Sequence, residues 1–202
     1  MSQARILTNA EYRRVLLHLA KKGHHARNKG MVFMSHLGGM RVGEISSVTI
    51  KDVLAEDGTI KDELFLRPEQ TKGSRGRTVL ISEKLRAELQ EYLSVRFRLK
   101  ADGLAVLHYT DTSRALFYSQ KSQREGFSAN SLSQWFGRIY REAGISGASS
   151  HSGRRFFATH LSENAVNPKI IQGLLGHRQI QTTLLYVQVS PSSMRKAVEL
   201  LS

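Results

Sequence analysis

The chain has 202 residues, with 30 Lys+Arg against 17 Asp+Glu, a formal net charge of +13 and no cysteine. That length fits one domain, and 40% hydrophobic residues suffice to fill its core. Disulfides, cysteine-bound zinc and thiol catalysis are excluded, and no apolar run approaches the ~20 residues of a transmembrane helix.

The charge is concentrated at the two ends. Residues 1–50 carry eight basic and two acidic residues, and residues 151–202 carry six and two, whereas the middle is nearly balanced. If the ends meet in the fold they form one basic face, suited to a polyanion such as nucleic acid. The N-terminus has no apolar signal segment, so the expectation is a soluble, cytoplasmic protein.

In chain order, Thr8 and Glu11 form a capping box. Tyr12, Val15, Leu16 and Leu19 then recur at helical spacing up to Gly23. A second helix is expected over about 25–37, ending at Gly38-Gly39, and a short one from Gly43 to Val48. Residues 63–67 and 77–81 are β-prone and flank a Gly-containing turn over 71–76, which predicts a hairpin. A third short strand is expected near Ile50–Leu54. Helical patterning resumes at Ser82, with Leu85, Leu89, Tyr92 and Leu93 on one side. Residues 99–127 are weakly patterned, with a short strand expected at Leu116-Phe117. Leu132, Trp135, Phe136 and Ile139 mark a helix from Ser128 to Gly144. Further helices are expected over 151–164, 168–175 and 182–187, with an amphipathic tail helix over Ser192–Leu201. The expected class is mostly α with a small three-stranded antiparallel β-sheet. Residues 1–202 are expected to form a single domain, with 191–202 as its helical tail.

Four constellations carry chemistry. Arg41 follows two glycines at a helix junction, with Glu44 three residues on and able to hold it. Lys72, Arg75 and Arg77 make a basic hairpin tip, where Lys72 could protonate a leaving oxygen. His151 and Arg154 are three apart, hence on one helix face, and suit a phosphate at a helix start. Gly176-His177 is followed nine residues later by Tyr186, in the run Thr182-Thr183-Leu184-Leu185-Tyr186. Taken singly, each has an ordinary reading as a solvated junction, a charged turn, a helix start or a packed aromatic. No Gly-x-x-x-x-Gly-Lys-Ser/Thr phosphate loop and no His-Glu-x-x-His metal motif occurs.

Together, in this order and spacing, the four resemble the tyrosine recombinase (phage-type integrase) family over about residues 8–201. Arg41 resembles the family's first arginine and Lys72 its hairpin lysine. His151-x-x-Arg154 resembles its His-x-x-Arg box, and Leu175-Gly176-His177 with Thr182-Thr183-x-x-Tyr186 resembles its final box. Arg155 departs from the pattern, standing where the family often has a second histidine. Larger relatives carry an N-terminal core-binding domain of ~100 residues. None precedes the catalytic domain in this sequence, which leaves open a natural short form or an excised piece.

The resemblance implies a tyrosine recombinase catalytic-domain fold and a DNA strand transferase that needs neither metal nor cofactor. Tyr186 would be the nucleophile and leave a 3′-phosphotyrosyl bond. Arg41 and Arg154 would clamp the non-bridging oxygens, and His177 would donate a further hydrogen bond. Lys72 would protonate the leaving 5′-oxygen, His151 would assist proton removal from Tyr186, and Glu44 would support them. Arg75, Arg77, Arg155 and Arg178 are expected to contact DNA. The implied partners are double-stranded DNA and a homotetramer on synapsed DNA, built from protomers that associate weakly or are monomeric alone. The implied setting is the nucleoid of a prokaryote, with a phage- or plasmid-encoded gene. The DNA site, the choice among integration, excision, inversion and dimer resolution, and packing of the tail on its own domain or a neighbour all stay open. The competing functions are a type IB topoisomerase, a non-cleaving DNA-binding regulator of the same fold, and a plain basic DNA-binding domain.

Overall fold

The computed structural model describes residues 4–71, 75–110, 112–119, 125–186, 194–195 and 198–199. Lys72 and most of the 191–202 tail therefore lie outside the described residues.

The chain starts its first helix, α1 (Asn9–Ala20), at the Thr8 capping box. The Glu11 amide donates to the Thr8 hydroxyl, and the Thr8 amide donates to the Glu11 carboxylate at 2.9 Å. Next comes α2 (His25–His36), in which ten of twelve residues are buried. A helix buried on nearly every side, with Arg27, Asn28, Ser35 and His36 among its buried residues, must lie inside a domain. Accordingly α2 packs against α1, against the short α3 (Val42–Ser47), and against two later helices, α5 (Glu83–Phe97) and α7 (Ser152–Glu163). Around it Met31, Met34, Met40, Ile45, Leu85, Phe136 and Tyr140 form one continuous core.

Strands β1 (Glu63–Leu66) and β2 (Arg77–Leu80) form an antiparallel pair with Leu64 opposite Val79 and Leu66 opposite Arg77. Leu64, Leu66 and Val79 face the core. Among the described residues the sheet has two strands, not the expected three. The segment expected as the third strand forms a helical turn, α4 (Ile50–Val53). The cause is local: the Thr49 amide and hydroxyl both donate to Asp52 Oδ2 at 2.8 Å. Only a single bridge, Leu54 to Ile60, remains of β pairing there. Leu116-Phe117 likewise forms no strand. Tyr92 and Arg96 donate to the Leu116 carbonyl, occupying an acceptor that a ladder would use.

Helix α6 (Ala129–Glu142) packs on α3 and α1. Helices α7, α8 (Pro168–Leu175) and α9 (Ile180–Leu184) follow and enclose a small second cluster of Ala158, Ile171 and Leu175. None of the helices among the described residues is long and apolar enough to cross a membrane.

The α2–α7 contact is close because position 153 lacks a side chain. A Cβ on Gly153 would lie 2.3 Å from Ser35 Oγ and 2.7 Å from the His36 ring. Gly173 in α8 has open space instead. Gly153→Ala should therefore lower stability by about 1–3 kcal/mol through overpacking. Gly173→Ala should raise it by about 0.4–1 kcal/mol by restricting the unfolded chain. Urea melts of the two variants check this, and equal effects would show that the α2–α7 contact tolerates a Cβ.

Candidate functional site

Glu44 occupies the third position of α3 and is 1% exposed. Both its oxygens are fully used. Oε2 accepts from the Arg41 amide at 2.8 Å and from Arg77 Nη2 at 2.8 Å. Oε1 accepts from Arg41 Nη1 at 2.9 Å and Arg77 Nε at 3.2 Å. Burial by itself would raise the carboxyl's pKa. The Arg77 hydrogen bond and charge, the Arg41 amide and the Arg154 charge outweigh it and hold Glu44 below the usual carboxylate range.

Arg77 is thereby turned inward. Its side chain is 9% exposed, and its third hydrogen bond goes to the Leu174 carbonyl at 2.9 Å. Arg77 is expected from the sequence to contact DNA; in the structure its guanidinium is engaged by Glu44 and the end of α8. Arg75 and Arg178 do face solvent. Lys72 lies outside the described residues.

Arg154, in the first turn of α7, is 3% exposed. It donates to the Gly39 carbonyl and the Leu175 carbonyl, each at 2.6 Å. Gly39 has φ +60, and a Cβ there would lie 2.7 Å from the Phe157 ring. Only glycine allows the backbone this turn under α7, which presents the carbonyl to Arg154. Both partners of Arg154 are neutral. Burial first, then the neighbouring Arg41 charge, pushes its guanidinium down to about 9. It stays charged at neutral pH, buried and incompletely compensated, a state that favours an incoming anion.

His177 follows Gly176, whose φ of +63 ends α8. A Cβ on Gly176 would strike Arg77 Cδ at 2.6 Å. The His177 Nδ1 pairs with Thr183 Oγ1 at 2.9 Å, which leaves Nε2 for a ligand. Burial, then Arg154 and Arg41, pushes the imidazole down to about 4, so it is neutral at pH 7. Its ring stacks on that of Tyr186, with centroids 5.9 Å apart. Tyr186 sits just beyond α9, with its amide on the Thr183 carbonyl and its side chain against the Ala158 cluster. His151 is exposed at the start of α7.

These residues converge. A cleft of about 290 Å³ is lined by Arg41, His151, Arg154, His177 and Tyr186, with Arg155, Ala4, Thr182 and Leu185 completing its wall. The arrangement offers the Tyr186 hydroxyl beside several hydrogen-bond donors and an excess of positive charge. Phosphate chemistry suits that combination. Sequence reasoning missed two supporting contacts, Thr183 on His177 and Arg77 on Glu44. Neither has a sequence signal, because the first needs the α8–α9 turn and the second joins residues 33 apart.

An anion in the cleft should restore the imidazolium form of His177. In the free protein its ring should titrate near 4. Adding orthovanadate should move that value up, because a bound negative charge favours the protonated ring. Titration by nuclear magnetic resonance, with His177→Gln to assign the peak, reads this. A value that vanadate leaves unchanged would separate His177 from the anion site.

The chain matches the phage integrase family model over residues 5–193. It is 32% identical over 174 residues to the tyrosine recombinase XerA of Pyrococcus furiosus, covering 86% of this chain and 54% of that protein. It is 28% identical over 165 residues to the tyrosine recombinase XerC of Lactobacillus leichmannii, covering 81% of this chain and 51% of that one. The chain thus spans about half the length of the curated relatives it matches. Among solved structures, its fold is similar to a XerA recombinase, with a TM-score of 0.74 at 24% identity over 99% of this chain and 66% of the other. It is also similar to the XerH site-specific recombinase bound to its difH substrate before cleavage, with a TM-score of 0.68 at 20% identity over 98% of this chain and 54% of the other. With the boxes around Arg41, His151–Arg154 and His177–Tyr186 gathered in one cleft and the family model matched over most of this chain's length, the chain belongs to the phage integrase family, as a tyrosine recombinase catalytic domain.

Proposed function

We propose that the protein is a site-specific DNA recombinase, which cleaves and rejoins strands through a 3′-phosphotyrosyl intermediate to integrate, excise or invert a DNA segment. What supports this reading is the meeting of Tyr186 with Arg41, His151, Arg154 and His177 in one cleft. A scissile phosphodiester repels ordinary nucleophiles because it is anionic. Arg41 and Arg154 neutralise its non-bridging oxygens and hold them by hydrogen bonds. His177 donates a further bond through Nε2.

Tyr186 Oη attacks phosphorus and the bond from phosphorus to O5′ breaks. The phenolic proton leaves with help from His151, and Lys72 delivers a proton to the departing O5′. The products are a 3′-phosphotyrosyl bond and a free 5′-hydroxyl. A 5′-hydroxyl from a second strand then reverses the chemistry, so bond energy is kept and no nucleotide is consumed. The guanidinium groups supply the charge that a metal supplies in other phosphoryl transfers.

Exposed Arg75 and Arg178 meet the DNA backbone. Exchange between two sites calls for two duplexes and four protomers, which associate weakly off DNA. The setting is prokaryotic cytoplasm, at the nucleoid, with a mobile element as the gene's source.

Incubation with a nicked suicide duplex bearing the target site tests the reading. Wild-type protein should form a covalent adduct that survives detergent, in EDTA as well as in magnesium. Tyr186→Phe should bind the duplex equally and form none. An adduct from the Phe variant would remove Tyr186 as nucleophile, and cleavage lost in EDTA and restored only by a divalent ion would replace the mechanism.

Lys72→Ala should slow cleavage by roughly 10²–10⁴-fold on ordinary DNA. A substrate with sulfur at the bridging 5′ position has a leaving group that needs no proton, and it should restore most of the rate. Failure of that rescue would make Lys72 a DNA-positioning residue.

A further inference from the structure

Arg154 and Arg155 are neighbours with different roles. The Arg154 side chain runs inward to two carbonyls, whereas Arg155 lies at the cleft wall. Its Nη1 donates to the Ala4 carbonyl at 2.5 Å. Its guanidinium carbon sits 5.5 Å from the centroid of the Tyr186 ring, within cation–π range. Its Nε is buried and makes no hydrogen bond among the described residues. The residue read from sequence as a DNA contact therefore touches the nucleophile.

The backbone alone restrains Tyr186 little. Helix α9 has five residues, too few to be stable by itself, and Tyr186 follows it. The ring is held by what surrounds it: the His177 ring, the Ala158 cluster and the Arg155 guanidinium. Arg155 is in turn held from the far side by Ala4. The segment bearing Ala4 is anchored, with the Arg5 amide on the Gly147 carbonyl at 3.3 Å, Arg5 Nη1 on the Ser146 carbonyl at 3.1 Å and Leu7 buried.

We propose that Arg155 is a positioning residue for the nucleophile: braced by the Ala4 carbonyl, its guanidinium docks on the Tyr186 ring and keeps the hydroxyl in the cleft with Arg41, Arg154 and His177. This rests on the reading of Tyr186 as the attacking group. Arg155 makes no bond to the phosphate; it acts through the ring. The arrangement also ties the pose of Tyr186 to the segment around residues 4–7.

Two measurements on Arg155→Gln and Arg155→Lys test it. The first is single-turnover cleavage of the suicide duplex over a range of DNA concentrations. Arg155→Gln should lower the saturating rate by roughly 10–100-fold, the scale of a misplaced reacting group. The half-saturating DNA concentration should stay within about twofold, because no phosphate contact is lost. Arg155→Lys should recover part of the rate, since an ammonium also docks on an aromatic face. An unchanged saturating rate with weaker DNA binding would make Arg155 a backbone contact and overturn the proposal.

The second is ring carbon–proton resonance of Tyr186 in DNA-free protein, assigned with Tyr186→Phe. The Tyr186 signals should shift in Arg155→Gln and lie closer to wild type in Arg155→Lys. Signals that do not move would overturn the proposal. This readout needs no cleavage, so a wild-type protein that forms no adduct would sink the recombinase reading while the docking of Arg155 on Tyr186 is still decided.

Discussion

Around Glu44 one buried carboxylate faces three guanidinium groups, those of Arg41, Arg77 and Arg154. The carboxylate hydrogen-bonds two of them. Arg154 receives only carbonyls and a more distant share of its field. Two unit charges ~4 Å apart interact by about 4 kcal/mol at an effective dielectric of 20. A half-buried cleft with such an excess has a strong preference for an anion of matching geometry. The lowered His177 has the same origin, because burial and the same arginines disfavour its proton. The cleft thus carries an excess of positive charge that a bound anion would relieve.

The fold's task is to keep those charges together against their repulsion. Packing does it. Helix α2 fixes α3 and α7, so the starts of those helices, which carry Arg41 and Arg154, have fixed places. Two glycines bring the chain close where a side chain would block it. Gly39 presents its carbonyl beneath α7, and Gly176 turns the chain past Arg77 to deliver His177. Glu44 then links the hairpin to α3 through Arg77. Hairpin, helix starts and the α8–α9 turn meet at one point.

What was legible in the sequence is what depends on local spacing. The Thr8–Glu11 box starts a helix as read, and the boxes around Arg41, His151–Arg154 and His177–Tyr186 converge in one cleft. What depends on distant partners was not legible. Arg77 looks like any basic residue in a charged turn until Glu44, 33 residues earlier, is folded against it. Ile50–Val53 has β-branched residues that suggest a strand, but the Thr49–Asp52 cap makes a helical turn cheaper locally. Arg155 follows Arg154 in sequence, yet its contact is with a ring 31 positions on and a carbonyl at residue 4. Periodicity carries no information about such pairs.

Mapping the covalent adduct tests the central claim most directly. Protein trapped on the suicide duplex is digested with nuclease and trypsin, and the modified peptide is sequenced by mass spectrometry. Cleavage after Arg178 and Arg195 releases a peptide whose one tyrosine is Tyr186. A nucleoside 3′-phosphate on that tyrosine is the predicted result. The same group on another tyrosine, on a serine, or on no residue of the trapped protein would contradict the account.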